Sequence, residues 1–375
     1  MTESTLGDIS KVMKTGKTPP SKNQSYFEDD FNWYTPGDIL YTKYIISSQR
    51  HVSNSAVEEG KASLYDENSL LITCIGNIGR VGISKEKCAS NQQITAITPI
   101  DEVNVEYLYY WFIKNQNLLS DISNNAVVPI LNNRTLKSVK FNYPPLETQK
   151  RIAQILDDAA ALRDTTAQLL KEYDLLAQSI FLEMLATNET ALINAKDSFK
   201  YSQGQQFSID KQIKENIEGY TRFLRITDYT QGDDLRYVKT ASEKALIKKS
   251  DIVLVRYGAS AGFVGFGKEG ILANNLFKIS FKEFDFNNIF LLYTFKSERF
   301  QKFIDKEAFG AAMPALSFKS LDKFTFQAPT LELQNQFADK IALIEQQKAL
   351  AKQELQESKD LFNCLLQKAF KGELV

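Results

Sequence analysis

The chain has 375 residues, 43% of them hydrophobic and 24% charged, with a formal net charge of −1; this is the balance of a soluble, cytoplasmic globular protein of two or more domains. Three cysteines (Cys74, Cys88, Cys364) form no C-x-x-C pair, and a single histidine, His51, argues against His-rich metal sites and most Ser-His or Cys-His catalysis. No apolar run approaches the ~20 residues of a membrane span, and Met1–Asp8 has neither a basic flank nor an apolar stretch, so neither membrane insertion nor secretion is expected.

In chain order, Thr15-Gly16-Lys17-Thr18 carries the closing letters of a phosphate-binding loop, but Lys11 stands where the upstream glycine belongs, so it reads as a surface turn. Asp38 with Glu59-Gly60-Lys61 carries the letters of a metal-dependent nuclease, a pattern that recurs by chance. Leu70 to Gly76, Gly79-Arg80-Val81-Gly82 and Asn91-Gln92-Gln93 read as strand, Gly-rich turn, strand and polar loop. The glycines do not form G-x-G-x-x-G at a strand-to-helix junction, so dinucleotide binding is not expected. Asn142-Tyr143-Pro144-Pro145 has the letters of the adenine-methyltransferase motif Asn-Pro-Pro-Tyr in the wrong order.

The chain then repeats itself. Pro129, Leu131, Leu136, Pro144, Leu146, Glu147 and Gln149 recur as Pro314, Leu316, Leu321, Pro329, Leu331, Glu332 and Gln334, a constant offset of 185. A weaker match sets Leu70–Gly76 against Ile252–Gly258, and both continue through glycines to amides, Asn91-Gln92 and Asn274-Asn275. Between these blocks the halves diverge, as two readers of different ligands would. Each repeat closes on a long helical pattern that follows proline and contains none, with Gly372 just past the second. The first places a heptad seam through Ile152, Ile155, Ala159, Leu162, Thr166, Leu169, Tyr173, Leu176 and Ile180. The second runs through Phe337, Ile341, Ile344, Lys348, Ala351, Leu355, Ser358, Phe362, Leu365 and Ala369. A helix from Glu147 to Leu185 would be roughly 58 Å long at ~1.5 Å per residue. The expected fold is α+β: two α/β domains (residues 1–143 and 187–327) alternating with two helices (144–186 and 328–375). The helices pair as an antiparallel coiled coil with pseudo-two-fold symmetry, a shape suited to a duplex.

The residues Gly16-Lys17-Thr18-Pro19, the Gly-rich strand block, Pro144-Pro145-Leu146-Glu147-Thr148-Gln149-Lys150-Arg151-Ile152 and the ending Lys368-Ala369-Phe370-Lys371-Gly372-Glu373-Leu374 together resemble a specificity (S) subunit of a Type I restriction–modification system. The resemblance covers essentially the whole chain and implies two target-recognition domains, each reading one half of a bipartite site in double-stranded DNA. It implies helices that set the spacer and dock two methyltransferase subunits, with restriction/translocase subunits joining them. It also implies a non-catalytic chain that binds no cofactor or metal of its own, S-adenosylmethionine, ATP and Mg being used by the partners.

Candidate DNA contacts follow from side-chain chemistry. Arg80 and Arg256 can reach phosphate or guanine from glycine turns, with Tyr257 beside the second; those turns also read as ordinary tight hairpins. Asn91, Gln92, Gln93, Asn133, Arg134, Asn274 and Asn275 offer amide or guanidinium edges to bases, and Asn-rich turns also arise because Asn tolerates left-handed backbone. Lys17 and Thr18 join them, as do Arg222 and Arg225, which read equally as a structural pairing with Asp228. Charge is uneven: residues 187–327 hold 21 Lys and Arg against 17 Asp and Glu, whereas residues 1–143 hold 14 against 15. DNA affinity therefore rests on local charge or on a partner. The competing expectation is a coiled-coil scaffold whose globular domains bind protein rather than DNA.

Overall fold

In the computed structural model, residues 2–40, 42–123, 128–232, 234–239, 243–282, 285–308 and 314–374 are described; Met313, at the head of the second repeat block, lies outside them. The chain divides into two compact units, Met1–Ala167 with Gln353–Val375, and Gln168–Lys352. In the first unit Ser10–Thr15, Ile94–Pro99, Leu70–Thr73, Val81–Ser84 and Tyr44–Ile45 form a sheet in that order. In the second, Phe199–Gln203, Leu276–Phe281, Ile252–Val255 and Val264–Gly265 form a sheet of the same order, with no counterpart of the last strand paired to it among the described residues.

The likeness extends into the stretches whose sequences diverge. His51–Val52, Phe31–Tyr34, Cys88–Ser90 and Leu64–Tyr65 make a second small sheet in the first unit. Arg236–Lys239, Tyr220–Leu224, Gly270–Leu272 and Leu246–Ile247 make its counterpart. Both contain one parallel pair at the same place, Phe31–Tyr34 on Cys88–Ser90 and Tyr220–Leu224 on Gly270–Leu272. Cross-strand pairing depends on pleat and burial, so it tolerates substitution that erases sequence identity.

Two long helices, the central one at Leu146–Thr187 and the C-terminal one at Leu331–Lys371, each start within the closing Pro-x-Leu-Glu-x-Gln of a repeat block. Within the first unit Ile152, Leu156 and Ala159 share a buried cluster with Phe362, Leu366 and Ala369. Within the second, Ala177, Phe181 and Met184 share one with Phe337, Ile341 and Ile344. Asp174 bonds Lys348 at 2.7 Å, and the rings of Phe181 and Phe337 lie 5.7 Å apart. Rising numbers on one helix therefore meet falling numbers on the other, and the helices run antiparallel.

The seam on the C-terminal helix passes through the buried Phe337, Ile341, Ile344, Ala351, Ser358 and Phe362, with Lys348, Leu355 and Leu365 half-buried. On the central helix the expected seam needs correction. Ile152, Ala159 and Thr166 are buried, and Tyr173 and Ile180 half-buried, but Leu162 and Leu176 stand 45% and 47% exposed. Ile155 and Leu169 are only half-buried; the alternate rungs are instead Leu156, Arg163, Leu170 and Ala177. Apolar residues come here as adjacent pairs, Ile155-Leu156, Leu169-Leu170 and Leu175-Leu176, so periodicity cannot choose between neighbours. The 185-residue offset can: it carries Ile341, Lys348, Leu355 and Phe362 onto those four rungs. Arg163 serves as a rung because its guanidinium lies 4.8 Å over the Phe362 ring.

The helix starts are tied to the sheets by the repeated glutamine. Gln149 is fully buried; its Nε2 donates to the Glu102 and Pro144 carbonyls at 2.9 and 2.8 Å, and its Oε1 accepts from Asn104 N at 2.9 Å. Asn104 in turn caps the helix Val105–Lys114. Gln334 repeats the clasp, donating to the Pro329 carbonyl at 2.9 Å and accepting from Asn287 N at 3.0 Å, where Asn287 caps Asn288–Lys296. Truncating Gln149 leaves two carbonyls and one amide without partners in a dry site. We expect Gln149→Ala to cost about 1–3 kcal/mol, read as a lowered urea midpoint, with Gln149→Glu no better because a carboxylate cannot donate to those carbonyls.

Burial also sets thiol chemistry. Desolvation raises Cys74 to about 11 and Cys88 to about 12, while Cys364 is exposed on the C-terminal helix. A maleimide at neutral pH should label Cys364 within minutes and the other two only in denaturant; rapid labelling of all three in the native protein would contradict this packing.

Candidate nucleic-acid interface

At one end of each main sheet the two repeat blocks are bound to each other. Gly76 N donates to the Pro129 carbonyl at 3.0 Å and Leu131 N to the Cys74 carbonyl at 2.8 Å. In the second unit Gly258 N donates to the Pro314 carbonyl at 3.0 Å and Leu316 N to the Arg256 carbonyl at 2.8 Å. Gly76 and Gly258 have φ of 77° and 88°, a left-handed backbone that glycine adopts without strain. The polar loop closes on the same turn: Cys74 N donates to the Gln93 carbonyl at 2.7 Å, and Arg256 N to the Asn275 carbonyl at 2.8 Å.

The opening strand joins this cluster through a glycine. A Cβ on Gly16 would lie 2.2 Å from the Asn91 carbonyl oxygen, and one on Gly204 would lie 2.1 Å from that of Ala273. Gly16-Lys17-Thr18 is thus the end of a strand pressed on the polar loop, which explains its glycine without any bound phosphate. Gly204, its counterpart, escaped the sequence comparison because no flanking letters match.

Most of the expected contact residues converge here. In the first unit Lys17 and Thr18 are exposed; Lys17 Nζ donates to the Gly60 carbonyl at 3.0 Å and the Thr18 hydroxyl to Gln92 Oε1. Asn91 is only 8% exposed, and both ends of its amide are spent on Gln93, at 3.0 Å each, so its role is to hold the loop. Asn133 Oδ1 accepts from the Thr15 and Thr95 hydroxyls at 3.1 and 3.0 Å, which leaves its NH2 as its free edge among the described residues; Arg134 beside it is exposed. In the second unit Arg256, the exposed Tyr257, Asn274 and Asn275 gather with Gln203, Gln206 and Phe318. The last three were not anticipated from sequence. Carrying the repeat alignment from Asn133 to Phe318 would have flagged that one.

Arg80, Arg222 and Arg225 lie elsewhere. Arg80 lines a cleft of about 750 Å³ against Tyr109, Arg163 and Asp164 of the helix side, so it is not the counterpart of Arg256. Its neighbours on Val81 and Gly82 match Val264 and Gly265, which makes Phe263 its counterpart. Arg222 and Arg225 both grip Asp228, whose side chain is 1% exposed, and Arg225 also reaches Asp234 at 3.1 Å. Arg236 meets Asp234 at 3.0 Å and, with Arg225, holds that carboxyl below its usual range. The structural pairing is therefore what the geometry shows for these arginines. Asp228→Ala would leave the partly buried Arg222 guanidinium without its carboxylate and Arg225 with Asp234 alone. We expect a loss of about 3 kcal/mol or more, measured by urea unfolding, with Asp228→Asn recovering only part.

Among the described residues, no group of three or more His, Cys, Asp or Glu is gathered to hold a metal ion, and no helix is long and apolar enough to cross a membrane.

Two copies of one backbone frame, ending in loop clusters of different chemistry, define a tandem-repeat protein. The chain belongs to the family of the Type I restriction modification DNA specificity domain, whose profile matches residues 1–173 and again 192–359. It is 36% identical over 156 residues to the Type I restriction enzyme MjaIX specificity subunit of Methanocaldococcus jannaschii, a match covering 40% of this chain and 36% of that one. Over 358 residues it is 23% identical to the EcoBI specificity subunit of Escherichia coli, covering 83% of this chain and 74% of that one. The S subunit from M. genitalium superposes with a TM-score of 0.60 at 14% identity, covering 98% of this chain and 95% of that one. A chain from the structure titled for complex assembly and conformational transition of the type I R-M system gives 0.62 at 15% identity, covering 100% and 98%. At these identities the superpositions speak to fold.

Proposed function

We propose that the chain is the sequence-specific DNA-recognition subunit of a Type I restriction–modification complex. The observation that carries this reading is the paired loop cluster: the same backbone hydrogen bonds recur in both units, while the side chains they present differ. The cluster of the first unit would read one half of a bipartite duplex target, and that of the second unit the other. The long helices would set the spacer and dock two methyltransferase subunits, with restriction subunits joining the assembly in the cytoplasm. The chain itself would carry out no chemistry and bind no cofactor, since methyl transfer and translocation need S-adenosylmethionine, ATP and Mg held by the partners. The local excess of basic residues in 187–327 supports a nucleic-acid partner over a protein one.

Exchange of residues 187–327 for the matching domain of a relative, in complex with the methyltransferase subunits, tests this. Mapping methylated sites across a genome should show one half of the target replaced, the other half and the spacer kept. Changes in both halves, or in neither, would contradict the modular reading, and pull-down of a protein ligand with no site-specific methylation would favour the scaffold.

A further inference from the structure

We propose that Arg256 reads a guanine in the half-site of the second unit; this rests on the recognition function above and adds the base and the residue. Arg256 is held before any ligand arrives. Its guanidinium lies 4.7 Å from the Phe318 ring and 4.9 Å from the Tyr257 ring, and Nη1 donates to Gln203 Oε1 at 2.6 Å. Gln203 is itself anchored, its Nε2 donating to the Asn274 carbonyl at 2.9 Å. Nε is buried without a partner, and Nη2 makes no hydrogen bond among the described residues. The ordering cost of a long side chain is thus largely met in the free protein, leaving Nη2 and the second hydrogen of Nη1, rather than the buried Nε, as a planar pair of donors to be matched by a planar pair of acceptors.

Charge points the same way. Arg222, Arg225 and Arg236 are each paired with Asp228 or Asp234, whereas Arg256 meets no carboxylate among the described residues. An unpaired, oriented guanidinium at a loop end calls for an acceptor-rich partner, and in duplex DNA that is either a phosphate or the O6/N7 edge of guanine. The repeat separates the two. A contact that merely seats the duplex should recur in both copies of the frame, but the counterpart of Arg256 is Cys74, buried and with its thiol turned to the Ile72 carbonyl. The counterparts of Gln203 and Phe318 are Thr15 and Asn133, so the whole clamp is replaced together. Residues that differ as a set on an identical backbone are those that distinguish one half-site from the other.

The test uses the chain in complex with its methyltransferase subunits. The half-site belonging to the second unit is first assigned by the domain exchange, and the methylated sequences are then mapped for wild type, Arg256→Ala and Arg256→Lys. One guanine position in that half should become degenerate in Arg256→Ala, losing roughly 10- to 100-fold in preference, with the other half unchanged. Arg256→Lys, which keeps the charge but not the fork, should relax the same position. Because a variant can misfold, wild-type complex is also titrated with duplex carrying 7-deazaguanine there; the missing N7 should weaken binding, and Arg256→Ala should be indifferent to it. A half-site without a G:C pair, an unchanged target in Arg256→Ala, or uniform weakening with a shallower salt dependence would overturn the guanine assignment alone. Absence of any sequence preference in the wild-type complex would overturn the recognition reading itself.

Discussion

A dry amide side chain at the start of each long helix is the constraint on which the two units are built. Gln149 and Gln334 sit where sheet domain, capped helix and long helix meet, and each uses both ends of its amide there. Satisfying the backbone groups of three converging segments with one side chain leaves little freedom in how the long helix leaves its domain, because every alternative strands a buried polar atom. The prolines just before each helix, Pro144 and Pro329, supply the carbonyls that the amides hold. The Lys43–Asp157 pair, 2.6 Å apart with the Tyr110 hydroxyl also donating to Asp157, adds a second tie between the first domain and its helix.

On the proposed reading a rigid exit matters, because each unit would meet one half of a two-part target. The loop clusters are held by backbone hydrogen bonds that do not depend on which side chains they carry, so the reading surface can change while the frame stays. Arg256 with Gln203 and Phe318, against Cys74 with Thr15 and Asn133, is what such an exchange looks like within one chain. The arginine network around Asp228 shows the contrary case: guanidiniums that hold structure are closed by carboxylates, and their charge is not on offer to a ligand.

Much of this was legible in the sequence because it depends on local, repeated signals. The Pro-x-Leu and Pro-x-Leu-Glu-x-Gln blocks, the glycine turns and the helical periodicity mark backbone conformations that few residues can adopt, so they persist in both copies. The α+β alternation of domains and helices, and the family, follow from them. The seam of the C-terminal helix was readable from its start, where Phe337 and Ile341 have no large apolar neighbour, but Leu366 rather than Leu365 is the buried member of its pair; on the central helix paired apolar residues leave the phase open to one residue.

What only the tertiary structure decided concerns contacts between residues far apart in the chain. The second small sheet recurs in both units although its strands share few letters, Val52 with Val238 and Leu64 with Leu246 among them, because pairing follows burial rather than identity. Arg80 and Arg256 both border glycine-rich turns, yet one faces a helix-side cleft and the other a clamp of Phe318 and Tyr257. Asn91 is consumed inside its loop while Asn133 keeps an NH2 that is free among the described residues. The sequence by itself determined the repeated frame, through glycines, prolines and periodic apolar positions that constrain the backbone wherever they occur. Which side chains stay free to meet a ligand depends on hydrogen bonds and rings brought from 50 to 120 positions away along the chain, as from Gln203 to Arg256 and from Thr15 to Asn133, and no local signal encodes those.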